Sequence, residues 1–295
     1  MPPHRHNPYA NPQGTWIRGS LHGHCCEHSA CASVPLAQSV RQYRDLGAGF
    51  VALTDHDVVT DLSALRAQYP ELILLHGFEY STRENVLFIG PEVEPLYRLS
   101  LEQALAAATD LLTVVCHPQP YASGRKYWTL EMLATLGRWP DGVEVYNGHY
   151  GIPGALAQGR WPLYTPFWDE LLSAGHHLWG FANDDFHDPA DFANAFNMVL
   201  VEERTPAAVV RAAKAGRCYA STGLLLHEVA VRDDEISVQM AQPCTGRFVG
   251  PGGTPLSQSE GTRFTYRAGE ETYVRFEAEG EAGRLFLQPM FREPA

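Results

Sequence analysis

The sequence predicts an α/β fold: a barrel-like unit of alternating strands and helices, followed by a small antiparallel β unit. Up to about residue 215, apolar runs of strand length alternate with segments of helical periodicity, which is the pattern of parallel βαβ units. Several of these runs end in histidine, aspartate or glutamate. Because a barrel gathers the carboxyl ends of its strands on one face, motifs that are far apart in the chain would form one site.

The strands of the barrel-like unit are predicted from apolar runs that are nearly continuous, as in strands buried on both faces of a sheet. Glycine, proline or polar residues bound these runs. We predict strands at residues 16–21, 50–54, 72–75, 86–89, 112–116, 142–146 and 177–182.

The helices between these strands are predicted from apolar residues that recur every three or four positions. In residues 34–46 this spacing is followed by Gly47 and Gly49, which are helix-ending signals. Similar patterns predict helices at residues 61–68, 101–108, 128–136, 166–174 and 206–215.

From about residue 225 the sequence has short strand-like runs, separated by clusters of glycine, proline and charged residues, without a helical pattern. We predict strands at residues 225–231, 235–240, 247–249, 262–267, 272–277 and 284–287. The predicted organisation is therefore an N-terminal arm at residues 1–15, the α/β barrel at residues 16–224 and a small β domain at residues 225–295.

The composition limits the classes of function. The formal net charge is −12, from 34 acidic and 22 basic residues, and such a surface repels a phosphate backbone, so we expect a small-molecule substrate and no long nucleic acid. No apolar run reaches the roughly 18 residues of a membrane span, and the N-terminus does not resemble a signal peptide. Six cysteines are too sparse for a disulfide scaffold. We expect reduced thiols, a cytoplasmic location and no membrane contact.

Two histidines one residue apart follow the first predicted strand. Because alternate residues of a strand point the same way, the imidazoles of His22 and His24 would face one side. Two convergent neutral imidazoles can begin a site for Zn, Fe, Mn or Ni. This spacing alone is weak evidence, but residues of ligand type recur where later apolar runs end.

The motifs that carry these residues are Leu21-His22-Gly23-His24, Thr54-Asp55-His56-Asp57, Gly77-Phe78-Glu79, Cys116-His117-Pro118 and Asp185-Phe186-His187. In this order, over roughly residues 16–190, they resemble the motifs of the PHP (polymerase and histidinol phosphatase) superfamily. The segment at residues 216–223, followed by a β unit, is similar to metallohydrolases of the carbaryl-hydrolase-related branch.

The resemblance implies a distorted seven-stranded (β/α) barrel that binds two or three divalent metal ions, usually Zn, Mn or Fe. It also implies hydrolysis, most often of phosphate esters. By position, the residues that would hold the first metal are His22, His24, Glu79 and Asp185, with Glu79 bridging to a second metal. His117 would bind the second metal, and His56 with His187 the third.

The sequence departs from the family pattern at two positions. An aspartate is usual a few residues after the His-x-His motif, where this chain has Ser29, and Glu27, His28 or Cys31 could replace it. A histidine is usual shortly after the glutamate, where this chain has Asn85, a poorer ligand. The first metal is therefore better supported than the other two.

Further residues are predicted to assist the reaction. Asp55, next to His56, would fix an imidazole tautomer or shuttle a proton, or it would simply cap the following turn. Arg125 and Lys126, in the loop after His117, would bind the oxygens of a phosphate, or form a solvated charge pair. Asn147 would line the pocket.

We interpret the chain as a metal-dependent hydrolase, most simply a phosphoesterase for a small phosphomonoester or nucleotide. One alternative keeps the metals and changes the substrate to a carbamate, ester or amide. Another is a degenerate module that binds metal without catalysis, for which Ser29 and Asn85 are the support. The sequence does not specify the leaving group, the native metal, the oligomeric state or the role of the β unit.

Overall fold

One mixed β-sheet runs through the computed structural model, which describes residues 5–10, 13–118, 127–232 and 234–293. The strands are β1 (Arg5–His6), β2 (Thr15–Ser20), β3 (Phe50–Leu53), β4 (Ile73–Tyr80), β5 (Val86–Gly90), β6 (Leu112–Val115), β7 (Gly142–Asn147), β8 (Trp179–Asn183), β9 (Phe196–Val201), β10 (Cys218–Ser221), β11 (Leu226–Arg232), β12 (Glu235–Gly250), β13 (Thr254–Arg267), β14 (Tyr273–Gly280), β15 (Gly283–Leu287) and β16 (Met290–Arg292). The helices are α1 (Leu36–Asp45), α2 (Ser63–Gln68), α3 (Leu101–Ala107), α4 (Leu130–Ala134), α5 (Pro153–Ala157), α6 (Thr165–Ser173) and α7 (Pro206–Lys214).

The N-terminal part alternates strands with helices, as predicted. The pairs β2–β3, β3–β4, β6–β7 and β7–β8 are parallel, and each strand of these pairs is almost completely buried apart from the start of β2. Helices α1, α2 and α4 to α6 lie in the crossovers between these strands. A mixed α/β fold with a large sheet is therefore confirmed, whereas the seven-stranded barrel stays a prediction.

The prediction of parallel βαβ units is wrong for strand β5. Strand β5 pairs antiparallel with both β4 and β6, because the five residues between Tyr80 and Val86 are too few for a crossover. Strands β9 and β10 were not predicted. They form a hairpin-like pair around α7, with β9 antiparallel to β2 and to β10.

Amide side chains connect β8 to strands on the other side of the sheet. Asn197 of β9 accepts a hydrogen bond from the backbone N–H of Ala182 at 3.0 Å and donates one to its carbonyl at 2.8 Å. Gln288 makes the equivalent two bonds with the backbone of Gly180, both 2.7 Å long. On the side of β8 that faces away from β7, these side-chain hydrogen bonds take the place of a backbone ladder.

The C-terminal part is antiparallel, as predicted, but its strands are longer than the sequence indicated. Strand β12 joins two predicted strands into one and pairs with β11, β13 and β14. Strand β15 pairs with β10, so the C-terminal strands continue the main sheet. Strand β1 of the N-terminal arm pairs with β16, and Tyr9 is buried with its hydroxyl donating to the carbonyl of Cys218. The domain boundaries themselves stay a prediction.

All six cysteines are described, and none forms a disulfide bond. Within the described ranges, no helix has the length and apolar character needed to cross a membrane.

A buried ion pair joins the C-terminal sheet to helix α6. Arg275 of β14 donates to both carboxylate oxygens of Asp169, at 2.7 and 2.6 Å, and it also pairs with Glu277. Tyr273 donates a further hydrogen bond to Asp169 at 2.9 Å. Because all of these charged groups are buried, each depends on its partner for solvation.

Replacing Asp169 by alanine should therefore destabilise the protein strongly. We expect Asp169→Ala to lower the free energy of unfolding by about 3 kcal/mol or more, because it leaves Arg275 with only part of its buried counter-charge. Urea unfolding measures this loss. The control is Glu279→Ala, which removes an exposed partner of Arg284 and should cost less than about 1 kcal/mol. Equal losses in the two variants would contradict the assignment.

Candidate metal centre

The two histidines of the His-x-His motif lie just beyond the end of β2. The backbone around Gly23 is held from both sides, since its carbonyl accepts from the N–H of Thr54 and His24 donates its N–H to the carbonyl of Phe186, both at 2.9 Å. This extended backbone turns both imidazoles into the interior. Their Nε2 atoms are 3.2 Å apart, and both side chains are fully buried.

Two carboxylates complete a compact set of four donor atoms. Asp185 Oδ1 lies 3.1 Å from His22 Nε2 and 3.2 Å from His24 Nε2. Glu79 Oε2 lies 3.3 Å from each of the same nitrogens. Four tetrahedral ligands placed about 2.0–2.2 Å from one zinc-like ion would be separated by roughly 3.3–3.6 Å, close to these distances. The set therefore has the dimensions of a coordination shell.

The Oε2 atom of Glu79 is the feature of this set that points to a bound cation. It is buried and finds no hydrogen-bond donor within the described residues, although three imidazole nitrogens surround it. The third is His56 Nδ1, at 3.0 Å, which also lies 2.7 Å from the hydroxyl of Ser81. Burying an ionised oxygen without a hydrogen bond is costly, and a metal ion removes that cost.

The other oxygen of Glu79 faces the second predicted metal position. Glu79 Oε1 lies 3.1 Å from His117 Nε2 and accepts a hydrogen bond of 2.6 Å from the amide of Asn85. Asn85 thus lies where the resemblance places a second ligand, but its nitrogen contacts the glutamate. The two oxygens of Glu79 are consequently unequal, one open to a metal and one already hydrogen-bonded.

The third group of donors consists of His24, His56 and His187, whose ligand atoms lie within 4.8 Å of one another. The ring of His24 is 4.4 Å from the rings of both His56 and His187. His187 donates from Nδ1 to the carbonyl of Asp185 at 2.7 Å, which leaves its Nε2 as the ligand atom.

Electrostatics keeps the carboxylates of the centre ionised. Burial raises the pKa of Glu79, but the imidazoles of His22, His117 and His24 outweigh it and hold that pKa well below its usual range. Burial likewise raises the pKa of Asp185, and His22 and His187 overcome it so that the net pKa is also well below its usual range. For His22, burial lowers the pKa, but the carboxylates of Asp185, Glu144 and Glu79 raise it by more. The net pKa of His22 is therefore well above its usual range.

Two of the predicted ligands have an unusual backbone conformation. The φ angles of His117 and Asp185 are 24° and 50°, in the left-handed region that residues other than glycine seldom adopt. Asp57, beside His56, has a φ of 49°. Strain of this kind is kept where the surroundings hold a residue for a function.

Asp55 does not contact the imidazole of His56, the partner that the sequence analysis gave it. Its carboxylate is buried and accepts from the N–H of Cys25 at 2.8 Å, from Ser29 at 2.7 Å and from Thr60 at 2.5 Å. Asp55 therefore anchors the loop after the His-x-His motif, and Ser81 is the residue that contacts His56 instead. A proton-transfer role for Asp55 stays a prediction.

The residues predicted with less support lie in different places. Glu27 and His28 are exposed; the Glu27 carboxylate accepts the N–H of Leu36 at the start of α1, 2.9 Å away. The described contacts do not bring either residue into the donor groups of the centre. Arg125 and Lys126 lie outside the described residues, and their phosphate-binding role stays a prediction.

Asn147 is buried at the end of β7, below the centre. Its amide donates to Asp185 Oδ2 and to Glu144 Oε2, both at 3.1 Å. Asn147 was predicted to bind substrate, and its described contacts make it a support for the ligand Asp185.

An open cleft of about 250 Å³ leads to the centre. Besides the ligands, it is lined by Cys31, Tyr127, His149, Tyr150 and Arg160. The ring of Tyr127 stacks on His117, with centroids 5.5 Å apart, and the Arg160 guanidinium lies 5.1 Å from the centre of the Tyr150 ring. Among the described residues, the cleft thus combines an aromatic wall with one cationic side chain.

Sequence reasoning did not assign a role to His149, Asp191 or Arg160. The Nδ1 atom of His149 lies 3.0 Å from the buried Asp191, which also accepts the backbone N–H of His187. The one available signal was their position, since His149 follows β7 directly and Asp191 follows the last motif. Arg160 carried no such signal, because it lies thirteen residues beyond that strand end.

Comparison with known proteins shows likeness in structure. No family model and no curated protein matches the chain. A two-domain protein from Bacteroides vulgatus, which contains a predicted PHP-like metal-dependent phosphoesterase, is 18% identical, with 95% of each chain covered and a TM-score of 0.52. This likeness shows that the chain shares the fold of that protein along nearly its whole length.

Two further structures are more distant. The lesion-specific endonuclease PfuEndoQ from Pyrococcus furiosus is 17% identical, covering 69% of this chain and 56% of its own, with a TM-score of 0.45. PsfC from Pseudomonas syringae is 15% identical, covering 69% of this chain and 89% of its own, with a TM-score of 0.46. The likeness to the Bacteroides vulgatus protein shows a shared fold, and the comparisons do not show the carbaryl-hydrolase branch.

The centre predicts that divalent metals stabilise the folded protein. A Zn²⁺ or Mn²⁺ concentration a hundredfold above its dissociation constant should add about 2.7 kcal/mol to the free energy of unfolding. The stabilisation should disappear in His24→Gln, which removes a donor of the centre, and persist in His76→Gln, since His76 contacts Glu92 and Arg66 instead. Thermal unfolding of metal-free protein with and without added metal measures it. Equal stabilisation of both variants would place the metal elsewhere.

Proposed function

We propose that this protein is a metal-dependent phosphoesterase that hydrolyses a small phosphomonoester or nucleotide. The observation that carries the proposal is the buried Oε2 of Glu79, which has no hydrogen-bond partner among the described residues and lies within a set of four donor atoms. Such a set is of little use to the fold without a cation, and it lies at the floor of an open cleft.

Different residues of the chain would bind different metal ions. His22, His24, Glu79 and Asp185 would hold the first metal, and the groups around His117 and around His56 with His187 would hold one or two more. Divalent ions there would lower the pKa of a water molecule and neutralise charge that develops on a phosphoryl or carbonyl oxygen. The chain orients these ligands, and the buried walls exclude bulk water from them.

Arg160 supports a phosphate as the substrate group. A guanidinium presents several N–H donors that match the oxygens of a phosphate. Arg160 lines the same cleft as Glu79 and Asp185, and Tyr150 packs beneath it. Arg125 and Lys126 would add to this charge if their loop lies over the cleft, as the sequence analysis predicts.

The size of the cleft and the charge of the protein both favour a small substrate. A volume of about 250 Å³ accommodates a phosphoryl group and part of its leaving group. The net charge of −12 disfavours a long polyanion, whose binding needs an extended basic surface. A nucleotide or another small phosphomonoester satisfies both conditions.

The aromatic wall of Tyr127, His117 and Tyr150 keeps a second substrate class in consideration. A carbamate, ester or amide with an aromatic leaving group would pack against these rings and would not need the cation. A matched pair of substrates separates the two classes, because 4-nitrophenyl phosphate and 4-nitrophenyl acetate share one leaving group and differ in the group that is attacked.

We expect the metal-loaded protein to prefer the phosphate, and Arg160→Gln to lower kcat/KM for the phosphate by about 10- to 100-fold, because a charge-assisted hydrogen bond contributes about 1.5–3 kcal/mol. The acetate rate should change less than about twofold. The matched control is Arg98→Gln, which removes a second arginine that lies over a tyrosine, outside the cleft.

Three results would count against the proposal. Preference for the acetate, unaffected by Arg160→Gln, would favour the carbonyl substrate. No hydrolysis of either substrate by protein that binds metal would favour the non-catalytic module. Absence of metal binding by the unmodified protein would remove the basis for all three functions.

A further inference from the structure

Glu144, in the middle of β7, is a buried carboxylate that belongs to no donor group of the metal centre. Its Oε1 lies 2.8 Å from His22 Nδ1 and 2.9 Å from the amide nitrogen of Asn183. Its Oε2 lies 2.7 Å from the backbone nitrogen of His117 and 3.1 Å from the amide nitrogen of Asn147. Four polar contacts thus converge on one carboxylate.

The other contacts of the amides show that each of them donates to Glu144. Asn183 uses its Oδ1 to accept the backbone N–H of Leu21 at 3.0 Å, so its nitrogen must face the carboxylate. Asn147 uses its Oδ1 to accept the N–H of Tyr150, so its nitrogen also faces Glu144. A backbone N–H can only donate, which settles the contact with His117.

We propose that Glu144 is a positioning residue that fixes the tautomer of His22. The backbone and amide partners all donate to Glu144, so His22 would donate to it from Nδ1 as well, and Nε2 would keep its lone pair for a metal held with Glu79 and Asp185. This inference rests on the proposed metal centre. It adds a residue that touches neither metal nor substrate and yet decides whether His22 can be a ligand.

The carboxylate of Glu144 is hydrogen-bonded, directly or through Asn147, to proposed ligands at three strand ends. His22 follows β2 and contacts Glu144 directly, while His117 follows β6 and is held through its backbone N–H. Asp185 follows β8 and is reached through Asn147, whose amide bridges the two carboxylates. A change in the hydrogen-bonding character of Glu144 therefore acts on the whole centre without altering its shape.

Glu144→Gln tests this, since it keeps the shape and exchanges one acceptor for an N–H₂ group. If the N–H₂ group that Glu144→Gln introduces replaces Oε1, it faces His22 and the amide nitrogen of Asn183. If it replaces Oε2, it faces the backbone N–H of His117 and the amide nitrogen of Asn147. Among the four partners, His22 alone can change from donor to acceptor, by moving its proton to Nε2. That nitrogen would then be blocked, and we expect zinc affinity to fall by about 10- to 100-fold.

The matched control is Asp141→Asn, at the residue just before the start of the same strand. Asp141 also accepts a backbone N–H, from Thr113, and pairs with Lys214, but it lies outside the donor groups of the centre. We expect this variant to lose some stability and to bind zinc as the unmodified protein does. Competition with a chromophoric chelator measures the affinity, and circular dichroism checks the fold.

A second measurement does not depend on the Glu144→Gln variant. In zinc-loaded protein with ¹⁵N-labelled histidine, the His22 signal, assigned by its absence from His22→Gln, should show a proton on Nδ1 and none on Nε2. A proton on Nε2 of His22 would overturn the proposal, and so would a Glu144→Gln variant that binds zinc within twofold of the unmodified protein. Failure of the unmodified protein to bind zinc or manganese would instead overturn the proposed function together with this inference.

Discussion

The structure depends on one electrostatic constraint, which is the burial of the ionised Glu79 with one of its oxygens making no hydrogen bond to the described residues. An isolated buried carboxylate costs several kcal/mol, so positive charge must compensate it. The imidazoles of His22, His24 and His56 surround this oxygen at 3.0–3.3 Å and supply nitrogen lone pairs for a cation. Burying this oxygen costs free energy in the protein alone, and a bound metal ion would remove that cost.

The fold meets this constraint by giving each ligand its own strand end. Glu79 lies within β4, His117 follows β6, and Asp185 follows β8, so separate strands must pair in register before the donor atoms meet. Left-handed backbone angles at His117 and Asp185 are part of the cost of bringing these atoms to one point. The hydrogen bonds of Glu144 and Asn147 link the strand ends and help to hold His117 and Asp185 in these conformations.

The sequence was sufficient for much of this arrangement, because each predicted ligand directly follows or ends an apolar run. It was not sufficient where the path of the chain leaves the βαβ pattern. The antiparallel β5 depends on a short connection, and β9 depends on pairing with β2 across a long separation in sequence. Arg160 reaches the cleft through the loop after β7, and Asp55 holds a neighbouring loop through contacts with Cys25 and Ser29 that no local pattern indicates.

The balance of charge in the centre connects the site to its proposed substrate. Glu79, Asp185 and Glu144 are buried carboxylates, whereas histidines that bind a metal are neutral. Two divalent ions would outweigh the charge of these three carboxylates, in a chain whose formal net charge is −12. Such a centre would attract a small anion inside the cleft, where Arg160 would add to the attraction, while the net negative charge of the chain would disfavour a long polyanion. In the proposed function, metal ions would offset the charge of the buried carboxylates, and an anionic substrate would in turn offset the charge of the metal ions.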